Sequence, residues 1–139
     1  KIEEAAASNV FFVGKDGVIR TPALGTILPG VTRDSVLQLA QRMAESGSGD
    51  VKGVEAGDVS TDQVMDAAEA FVTGTGAGLT PIEHVAMPDG TSMDLNCPGA
   101  VTQKLQAALK DIQLELAPDE LGWLWDPLEG EPASSRARA

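Results

Sequence analysis

Cysteine is nearly missing from this chain: Cys97 is the only one in 139 residues. A lone cysteine excludes an internal disulfide and leaves no cysteine-based metal constellation. Its plain reading is a small loop or core residue. Histidine is as scarce. His84 stands alone in an alternating segment, where a structural role fits better than catalysis. Basic residues are outnumbered, 10 Lys and Arg against 21 Asp and Glu, for a formal net charge of −11. Affinity for a nucleic-acid backbone draws on clustered Lys and Arg, so this balance argues against a nucleic-acid partner. Neither a membrane-length apolar run nor a secretory signal pattern is visible, so no membrane association is expected. With the single cysteine, these absences fit a reducing compartment, cytoplasm or organelle matrix.

What is present suffices for one domain with a real core: 139 residues, 42% of them hydrophobic. The first residue is Lys1 and strand-like residues follow almost at once, which suggests a piece of a longer protein. Residues 9–13 (Asn-Val-Phe-Phe-Val) read as a buried strand, and Asp16-Gly17 marks a hairpin turn into a return strand over 18–21. A loop with two prolines fills 22–29. Apolar residues at 36, 37, 39, 40 and 43 predict a helix over 33–45, stopped by the Ser-Gly-Ser-Gly of 46–49. A short strand lies within 51–59. Ser60 and Gln63 form a capping box for a short helix to about 68. Strands follow over 69–73 and 79–87, separated by a tight glycine loop at 74–78. Asp89-Gly90 turns into a short strand over 92–95, and the longest helical pattern covers 99–116. Trp123, Leu124 and Trp125 are expected to pack the end of the chain onto the body. A body over 1–128 is followed by a polar, frayed tail over 129–139. Hairpins mixed with flanking helices favour α+β over a doubly wound sheet.

Three segments could carry chemistry. The run Leu28-Pro-Gly-Val-Thr-Arg-Asp34 ends a loop and opens the first long helix. There Thr32 is expected to cap the helix, with the amides of Gly30, Val31 and Thr32 facing an anion. Free N–H groups at a helix start are a ready phosphate site. The glycine loop Gly74-Thr-Gly-Ala-Gly78 lacks the following helix of a dinucleotide fold and the Gly-Lys-Ser/Thr ending of a P-loop. It remains either a plain turn or a cup of backbone amides, with Thr75 as a hydroxyl donor. Glu4 precedes the first buried strand and needs a partner if it is buried, such as a pyridinium N–H.

Taken together, Glu4 with Ala5-Ala-Ala-Ser-Asn9-Val-Phe, Leu28-Pro-Gly-Val-Thr-Arg33-Asp, and Phe71-Val-Thr-Gly-Thr75 resemble the C-terminal half of a branched-chain amino acid aminotransferase. These are fold type IV pyridoxal-phosphate enzymes, and the resemblance runs from about Glu4 to about Trp125. It implies the large C-terminal domain of that fold. It implies pyridoxal 5'-phosphate as cofactor, with Glu4 pairing to the pyridine nitrogen and Leu28 packing on the ring. Gly30, Val31, Thr32 and Thr75 would lie around the phosphate, and Thr75 and Gly76 would offer amides to the substrate carboxylate. The implied reaction moves an amino group from leucine, isoleucine or valine to 2-oxoglutarate, in a homodimer. Ala6 stands where many relatives carry Gly, and Gly76 where many carry Ala. The resemblance places the Schiff-base lysine upstream of Glu4, and none of Lys1, Lys15, Lys52, Lys104 or Lys110 matches its context. The chain is therefore expected to be inactive alone. A non-catalytic binding protein, a D-amino acid transaminase and an aminodeoxychorismate lyase relative remain open alternatives.

Overall fold

The computed structural model describes residues 2–3, 5–47 and 49–127, and the backbone of 131–132. The chain divides into two compact units, Lys1–Gln106 and Ala107–Ala139.

In the first unit, strand β1 (Asn9–Gly14) turns into β2 (Val18–Pro22). Helix α1 (Val31–Ser46) then leads to β3 (Gly53–Gly57). The five-residue helix α2 (Thr61–Met65) precedes β4 (Ala67–Gly74), and β5 (Gly78–Ile82) follows. These five strands form one sheet in the order β3-β2-β1-β4-β5. All neighbours are antiparallel except β2 and β3, which run parallel across the α1 crossover. Parallel neighbours require such a crossover, and α1 supplies it. A separate hairpin joins β6 (His84–Ala86) to β7 (Ser92–Asp94). Helix α3 (Ala100–Gln113) begins in the first unit. In the second unit β8 (Trp125–Asp126) pairs with β9 (Glu131–Pro132).

Alternation along β1 explains how the sheet is covered. Phe11 faces Phe71 across the β1–β4 register, and their rings stack at 4.9 Å. Both are fully buried. Val10 and Phe12 point to the opposite face and join Val59, Val64, Ala67, Ala70 and Leu95 in an apolar cluster. The helical stripe predicted on α1 is buried at Val36, Leu39 and Ala40, and the helix packs against β3 and β4.

Four sequence expectations need correction. Helix α1 starts two residues earlier than the expected residue 33, because Gly30 rather than Thr32 is the cap. The Gly30 carbonyl accepts the Asp34 amide at 3.1 Å, so Thr32 is already the second helical residue. The segment 79–87 is two strands, not one, broken at Glu83, whose carbonyl accepts the Leu95 amide. Helix α2 stops at Met65, because Ala67 already enters β4. Trp125 is 61% exposed, so it does not pack as expected, and Trp123 and Leu124 are half-buried. Of the expected tail 129–139, Glu131–Pro132 pair as β9 and the remaining residues lie outside the described ones.

Candidate functional site

The strand register brings distant segments to one end of the sheet. Asn9, the first residue of β1, lies opposite Thr73 near the end of β4. Strand β2 runs antiparallel to β1, so its last residue, Pro22, reaches the same end. From there loop 23–30 leads into the N-terminus of α1. Ligands favour this position, beyond a strand's carboxyl end and at the start of the crossover helix. A cavity of about 280 Å³ lies there, lined by residues 6–9, Leu28, 30–33 and 73–75.

The loop is held by a side chain. The Asn9 amide nitrogen donates to the Leu28 carbonyl at 2.9 Å, tying loop 23–30 to β1. Gly30 is required beside this latch, since a Cβ at that position would collide with the Asn9 side-chain oxygen. The Gly30 amide donates back to the Leu28 carbonyl. The helix therefore starts on a residue without a side chain, and no side chain caps α1. The amides of Val31, Thr32 and Arg33 occupy the first turn, where no preceding helical carbonyl can accept them.

The other helix starts are closed. On α2, Ser60 accepts the Gln63 amide and the Gln63 side chain accepts the Ser60 amide. On α3, the buried Glu69 carboxylate accepts the Val101 amide at 3.2 Å and the Thr102 amide at 2.8 Å, and the Thr102 hydroxyl at 2.7 Å. Only α1, among the described helices, turns its uncapped start into a cavity.

Two further polar groups face this region. The Thr73 hydroxyl is buried and has no hydrogen-bond partner among the described residues. The Arg33 guanidinium is buried, donates to the Pro22 carbonyl at 2.8 Å, and leaves its Nε unpartnered. Burial pushes the Arg33 guanidinium below its ordinary pKa, and the Asp34 charge opposes that shift. Arg33 adds positive potential close to the helix start, and no carboxylate pairs with it among the described residues.

Of the residues singled out in the sequence, Leu28, Gly30, Val31, Thr32 and Thr75 line this one cavity. Gly76 sits in the exposed β4–β5 turn, outside the lining. Glu4 lies outside the described residues, and its neighbours 6–9 line the cavity. Asn9, Arg33 and Thr73 were not foreseen as site residues. A polar side chain at the head of an otherwise apolar strand was the available signal for Asn9.

The family model for amino-transferase class IV matches residues 1–85. This chain belongs to that family. It is 37% identical to branched-chain-amino-acid aminotransferase 6 of Arabidopsis thaliana over 131 residues, covering 93% of this chain and 35% of that protein. It is 42% identical to the Pseudomonas aeruginosa branched-chain-amino-acid aminotransferase over 111 residues, covering 80% of this chain and 33% of the relative. The fold matches the branched-chain aminotransferase of Thermobaculum terrenum in its PLP form, with TM-score 0.65 and 32% identity. That match covers 81% of this chain and 34% of the other. The chain thus spans about a third of the length of the class IV aminotransferases it matches. Among its described residues no helix is long and apolar enough to cross a membrane.

The site suits the phosphate of such a cofactor. An uncapped helix start, a buried hydroxyl without a partner and a nearby guanidinium all favour an anion with several acceptor oxygens. No carboxylate of the described residues lines the cavity to oppose it.

Proposed function

We propose that this chain is the cofactor-binding part of a branched-chain amino acid aminotransferase. The enzyme moves an amino group from leucine, isoleucine or valine to 2-oxoglutarate. The observation that carries this reading is the open start of α1, placed with Thr75 in one cavity. The amides of Val31 and Thr32, the Thr32 hydroxyl and Thr75 hold the phosphate of pyridoxal 5'-phosphate, and Leu28 packs on its ring. Glu4 takes the pyridine nitrogen, and Gly76 joins Thr75 at the substrate carboxylate; both roles rest on the resemblance. When bound, this cofactor supplies an electron-accepting ring for carbanion chemistry at the substrate α-carbon. A carboxylate on the ring nitrogen keeps it protonated and so raises that capacity.

The chain alone does not turn over in this reading. No lysine lines the cavity among the described residues. Lys15 and Lys104 are engaged on the surface by Asp66 and Asp50, and Lys52 donates to the Gly49 carbonyl. The active enzyme is a homodimer of the longer protein, in cytoplasm or an organelle matrix.

The test is to titrate the chain with pyridoxal 5'-phosphate, then treat it with borohydride and map any adduct. The expected result is saturable binding that inorganic phosphate competes away, no adduct on a single lysine, and no glutamate formed from leucine and 2-oxoglutarate. Binding indifferent to inorganic phosphate contradicts the cofactor site. A stable adduct on one lysine, with turnover, contradicts the inactivity of the chain alone.

A further inference from the structure

We infer that Thr73 is a further phosphate-binding residue, its hydroxyl donating to the same anion that the Val31 and Thr32 amides receive. This rests on the cofactor reading above and assigns it a donor that the sequence motifs did not indicate.

Thr21, Thr73 and Thr102 are all fully buried. The Thr21 hydroxyl donates to the Val10 carbonyl at 2.8 Å, and the Thr102 hydroxyl donates to Glu69 at 2.7 Å. The Thr73 hydroxyl has no partner, although its residue lines the cavity together with the first turn of α1. Desolvating a hydroxyl without satisfying it is costly, and buried polar groups are almost always paired. Packing does not demand the hydroxyl. Valine has the same shape and suits an interior strand at least as well. An acceptor oxygen in the cavity accounts for it, and a phosphate at the start of α1 brings several such oxygens. Thr73 and the α1 amides reach the cavity from two separate elements, one from β4 and one from the crossover helix. Together they would grip a tetrahedral anion rather than merely touch it.

The test compares Thr73→Val and Thr73→Ser with the unaltered 139-residue chain, reading inorganic phosphate binding by phosphorus NMR titration and thermal unfolding without ligand. Removing a donor to a charged acceptor should weaken phosphate binding about tenfold in Thr73→Val, while Thr73→Ser stays close to the parent. Without ligand, Thr73→Val should unfold at the same temperature or higher, because it removes an unsatisfied group. Should Thr73→Val fail to fold, Thr73→Ala reads the same loss of donor. Equal phosphate affinity in the parent and in the variants lacking the hydroxyl overturns the role of Thr73 and leaves the cofactor site standing. A parent chain that binds neither phosphate nor pyridoxal 5'-phosphate overturns both.

Discussion

Helices α1 and α3 both begin at a glycine where a Cβ would collide with a neighbouring side chain, yet the two starts are built for opposite ends. At α3 the protein fills the helix start itself: Glu69 reaches from β4 to the Val101 and Thr102 amides. Gly99 leaves the room for it, since a Cβ there would overlap the Glu69 carboxylate. At α1 the glycine makes room for the Asn9 latch, and the amides of the first turn are left without a side-chain cap. A helix start attracts negative charge in either case. One start takes its anion from the fold; in the function proposed above, the other takes it from outside. On that proposal the same physics serves stability at α3 and binding at α1, and substitutions at the two places should fall into separate classes.

The largest effect is expected at the closed start. Glu69→Ala strands two buried amides and a hydroxyl, and should lower the unfolding free energy by about 3 kcal/mol, read by chemical denaturation. Phosphate affinity, measured where the variant is still folded, should stay at the parent value. Gly30→Ala comes next. Its methyl group meets the Asn9 side chain, so the loop must move, costing about 1–2 kcal/mol of stability. Because the α1 amides move with it, calorimetric titration should also show weaker phosphate binding; intact binding would mean that the latch does not set the site. Thr32→Ala should separate the two properties. It removes one donor from a half-buried helix position, so phosphate affinity should fall about tenfold while stability changes by less than about 0.5 kcal/mol. An unfolding midpoint shifted as far as in Glu69→Ala would erase the distinction between the two starts.

The smallest effect lies away from both, at the β1–β2 turn. The hydrogen bond from Arg20 is the main cause that brings the exposed Asp16 carboxyl from its ordinary 3.8 down to about 2. A carboxyl pKa depressed in the folded state stabilises above the unfolded pKa, and that contribution is lost as pH falls from 3.8 towards about 2. Asp16→Asn should flatten the acid limb of the stability profile slightly within that window. A profile with unchanged slope there would remove the Arg20 pair from the account. Its exposure keeps the effect small.

Much of this contrast was legible in the sequence, and the missing part has a physical cause. Local signals survived folding: the Asp16-Gly17 turn, the Ser60 capping box and the apolar stripe of α1 depend on neighbours within a few residues. The motif around residues 28–34 located the open helix start. Thr32 was misplaced as the cap because threonine and glycine rank about equally as caps, so the local sequence does not choose between Gly30 and Thr32. Only the Asn9 side chain, from another strand, makes Gly30 the residue that fits. Thr73 and Glu69 were opaque for the same reason. Their importance follows from the β1–β4 register and from the return of the chain at residues 99–102, which no periodicity in one segment announces.

The most direct test follows backbone amides of the 139-residue chain by nitrogen-15 NMR during a titration with inorganic phosphate. The Val31, Thr32 and Arg33 amides should shift together and saturate, while those of Val101 and Thr102 stay still. Shifts at Val101 and Thr102 of equal size, or no movement at 31–33, would contradict it.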